Sequence, residues 1–107
     1  MKKIFIDTTS NKEIIVRLHI DAEEYTVQKP LTSYKAQIIL PMIVALLLEH
    51  TLSLQDLEAI EVNPGPGSFT GVRVGVSVAN ALSYSLGLPV NGKVFTKDTS
   101  LVEPQYS

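Results

Sequence analysis

The chain has 107 residues, 45% of them hydrophobic and 19% charged, which describes one ordinary globular domain with room for a single core. A formal net charge of −2 and a pI near 5.6 exclude an electrostatic grip on nucleic acid by this chain alone, so any RNA contact is expected through a partner. The absence of cysteine excludes disulfides and thiolate metal sites and fits a reducing compartment.

Lys3 to Thr8 reads as a short buried strand, followed by a turn over Thr9 to Lys12, where Ser10 and Asn11 compete for backbone hydrogen bonds. Glu13 to Ile20 alternates, with Ile14, Val16, Leu18 and Ile20 on one face, the pattern of a half-buried antiparallel strand. Asp21 to Glu23 turns the chain, and Tyr25 and Val27 alternate with polar residues in a third strand ending before Pro30. Residues 34 to 50 carry a helix that is apolar nearly all the way round, so one side packs on the sheet and another is expected to meet a second protein. Pro41 either kinks this helix or starts its main part. Ser53 caps a short turn before a strand over Leu57 to Val62.

The stretch Pro64-Gly65-Pro66-Gly67-Ser68-Phe69-Thr70-Gly71-Val72-Arg73-Val74-Gly75 is the least generic part of the chain. Two prolines fix their own φ, Gly65 and Gly67 are free to take positive φ, and Ser68 or Thr70 can cap a helix. Gly65, Gly67, Ser68, Thr70 and Arg73 form a candidate anion or turn site, because a glycine-rich turn at a helix N-terminus gathers backbone N–H groups. The spacing matches neither a P-loop nor Gly-x-Gly-x-x-Gly, and a tight turn for close strand–helix packing is the plainer reading. Val72, Val74, Val76 and Val78 alternate like a strand, but the length and the ending Gly87-Leu88-Pro89 favour a helix from Thr70 to Leu86 with Gly87 as its C′ residue. Gly71, Gly75 and Ala79 then share one face, which lets another helix or the sheet approach closely.

Pro89 to Asn91 reads as a fifth strand, and residues 93–107 as a weakly structured tail after a domain spanning 1–92. The fold class is therefore α/β, a five-stranded mixed sheet with two main helices in the order β-β-β-α-β-α-β. The longest apolar run, Ile38 to Leu48, is short of the roughly 20 residues a spanning helix needs, and the opening Met1-Lys2-Lys3 leads into too short an apolar run for a signal peptide. No membrane association and a cytoplasmic location are expected.

Gln37-Ile38-Ile39-Leu40-Pro41, then Leu52 to Ile60, then the run Gly65-Pro66-Gly67-Ser68-Phe69-Thr70-Gly71-Val72-Arg73, resemble the N-terminal half of the TsaB (YeaZ) family, over roughly residues 3 to 92. Pro64 stands where that family carries an Arg, and Asn63 replaces the preceding Gly. The resemblance implies one subdomain of the actin/Hsp70-like (ribonuclease H-like) fold and settles the valine-rich stretch as helix. It also implies a non-catalytic scaffold that supports a TsaD-like subunit in forming threonylcarbamoyl-adenosine on tRNA, with a TsaE-like ATPase in the same machinery. In that family the two long helices bundle with TsaD or with a second copy. Ile39, Met42, Ile43, Leu46, Gly71, Val72, Gly75, Ala79 and Leu82 are accordingly the expected interface, and Gly75→Leu is expected to block pairing while leaving the fold intact.

No catalytic residue, metal or cofactor is expected in this chain; ATP enters through the partner complex. The alternatives are a homodimeric interaction module, or an ATP-binding or metallopeptidase-like enzyme. The last has little to draw on, because His19 and His50 are the two histidines and no His-Glu-x-x-His exists. Asp7, alone at a strand end, reads as a turn residue.

Overall fold

A computed structural model of the chain describes residues 1–30, 35–67 and 69–92. The expected tail, Tyr34 and Ser68 lie outside these. Strands β1 (Lys2–Asp7), β2 (Glu13–Ile20) and β3 (Glu23–Pro30) form a meander, followed by helix α1 (Lys35–Glu49), a 3-10 turn (Leu54–Asp56), β4 (Ala59–Val62) and helix α2 (Phe69–Leu86). The sheet order is β3-β2-β1-β4, antiparallel except for the parallel pair β1–β4.

Alternation decides which face is buried. Ile4, Ile6, Ile14, Val16, Leu18 and Ile60 are 0% exposed, whereas their neighbours Phe5, Ile15 and Arg17 are half-buried on the opposite face. Both helices therefore sit on one side, α1 over β2 and α2 over β1 and β4, and they also pack against each other. Pro41 lies exposed inside α1, six residues after its first residue, so it does not start the helix.

The sheet has four strands among the described residues, not five. Val90 makes a single parallel bridge to Ile60. Asn91 and Gly92 then adopt φ of 50° and 78° and turn the chain off the edge. Asn91 continues the pairing with its side chain: Oδ1 accepts from the Val62 N–H at 2.8 Å and Nδ2 donates to the Val62 carbonyl at 2.9 Å. The fourth strand is also shorter than expected, since Leu57 closes the 3-10 turn by donating to the Leu54 carbonyl at 3.2 Å. Ser53 caps that turn, its N–H donating to Asp56 Oδ2 at 2.8 Å.

Both helices stop on a left-handed residue. After α2, Gly87 has φ 69° and the Leu88 N–H reaches back to the Ser83 carbonyl at 3.1 Å, the closure expected of a C′ glycine. After α1 the same closure, Leu52 N–H to Leu47 carbonyl at 2.9 Å, is built on Thr51 at φ 60°.

Candidate functional site

Two parts of the molecule carry the residues singled out by the sequence. The first is the crevice where β1 and β4 end side by side and the glycine-proline turn leads into α2. Asp7 closes β1: its Oδ1 accepts from the Thr9 N–H at 2.9 Å and the Thr9 hydroxyl at 2.7 Å, and its Oδ2 accepts from Asn63 Nδ2 at 3.4 Å. Asn63 in turn accepts from the Gly65 N–H through Oδ1 at 3.1 Å. The carboxylate thus ties the first hairpin to the end of β4, as a turn residue does.

The glycines of this turn serve close approach. A Cβ on Gly67 would stand 2.7 Å from both Cβ and the carbonyl oxygen of Thr9, and one on Gly75 would stand 2.3 Å from Thr8 Oγ1. Thr8 is fully buried and its hydroxyl donates to the Gly71 carbonyl. Gly65 takes φ 107°, a conformation that favours glycine. Of the remaining candidate anion residues, Thr70 and Arg73 are exposed on the first turns of α2. The missing side chains of Gly67 and Gly75 let the turn and the helix lie close against Thr8 and Thr9.

The second part is the outward face of the two helices, and here the structure corrects the expected interface. Ile39, Ile43, Val72 and Ala79 are 0% exposed, and Met42 and Leu46 are 2% exposed, all within the chain's own core. Gly71 and Gly75 are buried against Thr8. Spacing located the small-residue face correctly, but that face meets the sheet. Consequently Gly75→Leu is expected to disturb the seating of α2 on the sheet rather than leave the fold intact.

What faces outward is a different set. Leu40, Val78, Ala81, Leu82 and Ser85 line a shallow apolar groove between the helices, and Leu82 alone of these belonged to the expected interface. Leu40 is 41% exposed and Leu48 is 68% exposed, at positions that share a side of α1 with the half-buried Val44. A second apolar groove, lined by Val44, Leu47, Leu48, Leu52 and Leu54, continues from there. The sequence signal for this stripe was the absence of any charged residue between Lys35 and Glu49.

His50 sits at the end of α1 with Nδ1 at 3.0 Å from the Leu46 carbonyl, and its ring meets Tyr25 of β3 at a 42° tilt with centroids 4.0 Å apart. The Tyr25 hydroxyl donates to Glu23, which pushes the phenol above its ordinary value. His19 is half-buried on the open sheet face, in register with Lys3 and Glu24. Among the described residues no three His, Asp or Glu side chains cluster closely enough to hold a metal ion. None of the described helices is long and apolar enough to cross a membrane.

With this geometry in view, the likeness to known proteins is specific. A TsaB protein of Buchnera aphidicola is 34% identical over 89 residues, which cover 83% of this chain and 40% of that protein. The Bacillus subtilis TsaB protein is 38% identical over 94 residues, 85% of this chain and 40% of its own length. The solved YeaZ structure from Pseudomonas aeruginosa superposes with a TM-score of 0.77 at 31% identity, covering 83% of this chain and 41% of that one. The family model described as TsaD, tRNA N6-adenosine threonylcarbamoyltransferase, matches residues 29–92, more than half of the sequence. The chain belongs to the TsaB (YeaZ) family. This TsaB-like chain spans about two fifths of the length of those relatives. The stretch matched by the family model, residues 29–92, takes in α1, β4, the glycine-proline turn and α2.

Proposed function

We propose that this TsaB-like chain is a non-catalytic subunit of the cytoplasmic machinery that makes threonylcarbamoyl-adenosine in tRNA, and that it pairs with a TsaD-like protein through the outward face of α1 and α2. The observation that carries the reading is the continuous apolar stripe of Leu40, Val44 and Leu48, set beside the groove of Val78, Ala81 and Leu82. Large exposed leucines on a helix with no charge between its ends are a cost in water and a gain against a partner, about 1.5–3 kcal/mol for each leucine fully covered. The names of the relatives supply the chemistry: they are tRNA threonylcarbamoyladenosine biosynthesis proteins, and the matching family model is that of the transferase. A partner from that family offers helices of the same descent to this face.

In this reading the reacting groups, the nucleotide and the tRNA contact belong to the partner and to a TsaE-like ATPase. Two features of the chain support that division. Its net charge is −2. The strand-end carboxylate, Asp7, is spent on Thr9 and Asn63.

The test is co-purification of the chain with the TsaD-like protein of the same cell, with sizes read by light scattering and the mixture assayed for modified tRNA. A heterodimer whose activity depends on this chain is expected. Leu40→Asp together with Ala81→Asp, both exposed in the groove, is expected to weaken pairing at least about 30-fold while leaving the circular dichroism spectrum unchanged. A chain that ignores TsaD, or double-mutant pairing as tight as the parent's, overturns the reading.

A further inference from the structure

The sheet has two edges, and they are finished differently. Beyond β4 the edge is closed by Val90 and by the Asn91 amide. At the other side β3 pairs with β2 through all of Glu23 to Pro30, and among the described residues no strand lies beyond it. The core is also unfinished there: Ile4 and Ile6 of β1 and Ile14, Val16 and Leu18 of β2 are fully buried, whereas Tyr25 and Val27, the apolar inward residues of β3, remain half-buried, as does Ile20 where β2 runs out toward the turn into β3.

We propose that β3 pairs antiparallel with β3 of a second copy about a two-fold axis at Thr26, joining the two sheets into one. The sequence of the strand is complementary to itself in this register. Glu23 stands opposite Lys29 of the second copy, Glu24 opposite Gln28, Tyr25 opposite Val27 and Thr26 opposite Thr26. An opposite-charge pair, an aromatic–β-branched pair and a Thr–Thr pair are the cross-strand combinations that stabilise antiparallel sheets. Each except the axial Thr pair occurs twice by symmetry. The tyrosine and valine cover each other on the helix side, which extends the apolar layer past the end of the single chain.

A shift of one residue is disfavoured. It would put the helix layers of the two copies on opposite faces and set Tyr25 against Gln28. A shift of two residues in either direction removes the Glu23–Lys29 pairing. This edge is separate from the Leu40–Val78 groove, so the inference does not rest on the proposed function.

Because the chain contains no cysteine, the register can be read by cross-linking. Across the axis, Cys residues at position 26 would have Cα atoms about 4.5–5.5 Å apart, within disulfide range. Position 28 would face its own copy at about 14 Å, four residues along the strands, beyond bridging. Under mild oxidation of the 107-residue chain, Thr26→Cys is expected to form mostly covalent dimer, and Gln28→Cys alone is not. A mixture of Glu24→Cys and Gln28→Cys chains is expected to cross-link. Thr26→Cys dimer forming no faster than dimer of Asn11→Cys, a control at the exposed β1–β2 turn, overturns the proposal.

Sedimentation equilibrium gives a second reading that needs no cysteine. Lys29→Glu is expected to raise the dimer dissociation constant about tenfold, and adding Glu23→Lys to restore it. Lys29→Glu dimerising as tightly as the parent also overturns the proposal. Leu40→Asp is expected to leave the cross-linking unchanged; its loss there would place the dimer on the helix face and overturn the strand pairing.

Discussion

α1 and α2 lie on the same side of one sheet, yet the two halves of the molecule are held together by different means. On the α2 side contact is close and specific: Gly67 against Thr9, Gly75 against Thr8, the Thr8 hydroxyl on the Gly71 carbonyl, Asn63 on Asp7, and Asn91 on Val62. On the α1 side contact is bulky and unspecific, with Ile39, Met42, Ile43, Leu46 and Leu47 packed on Ile14, Val16 and Leu18. Apolar bulk tolerates substitution of similar volume, whereas a backbone approach regulated by missing side chains does not. The motif that makes this family visible in sequence therefore falls on the half where geometry allows least change.

Substitutions that break the close contacts test this difference most severely. Gly75→Leu places side-chain atoms where Thr8 already stands, within 2.3 Å at the Cβ alone. The expected loss of at least about 4 kcal/mol is a large share of the roughly 5–15 kcal/mol that stabilises a domain, so the thermal midpoint should fall steeply and the urea midpoint with it. A Gly75→Leu protein with unchanged midpoints would mean that α2 can shift outward, and that the two halves are held less differently than described.

A smaller effect is expected at the closed edge. Asn91→Gly keeps the left-handed backbone and removes both bonds to Val62, for an expected loss of about 2 kcal/mol in urea unfolding. The comparison with α1 then turns on sign. Thr51 occupies, at φ 60°, the left-handed position that Gly87 fills after α2. Thr51→Gly is expected to stabilise the chain by about 1 kcal/mol, read as a higher urea midpoint, because a β-branched residue is strained in that conformation. The corresponding change at Gly87 has no such reserve.

Much of this arrangement is written locally. The alternation of Glu13 to Ile20, the Ser53 cap and the Gly87 stop each depend on a few neighbouring residues, and each stands where the sequence puts it. Identity of faces was legible too: Gly71, Gly75 and Ala79 do share one side of α2. What that side meets was not, because a four-residue spacing describes a helix and carries no information about the element packed on it. The missing fifth strand has the same cause. Val90 does pair with Ile60, but whether pairing continues depends on Asn91 at positive φ and on its amide standing in for backbone. The tilted ring contact of Tyr25 with His50 joins a strand to a helix end with nothing local to announce it.

The bond from Thr8 to the Gly71 carbonyl also bears on the order in which the chain can fold. β1, β2 and β3 are joined by short turns and meet soon after they exist, but β1 pairs with β4 only after α1 has been made, and Thr8 finds Gly71 across 63 residues of sequence. Contacts of such long range cost loop-closure entropy before they return anything. During synthesis the meander and α1 can collapse together while Ile4 and Ile6 stay uncovered beside them. The final step is then the seating of α2 by its glycines on the first hairpin, so the first strand to leave the ribosome is the last to be enclosed.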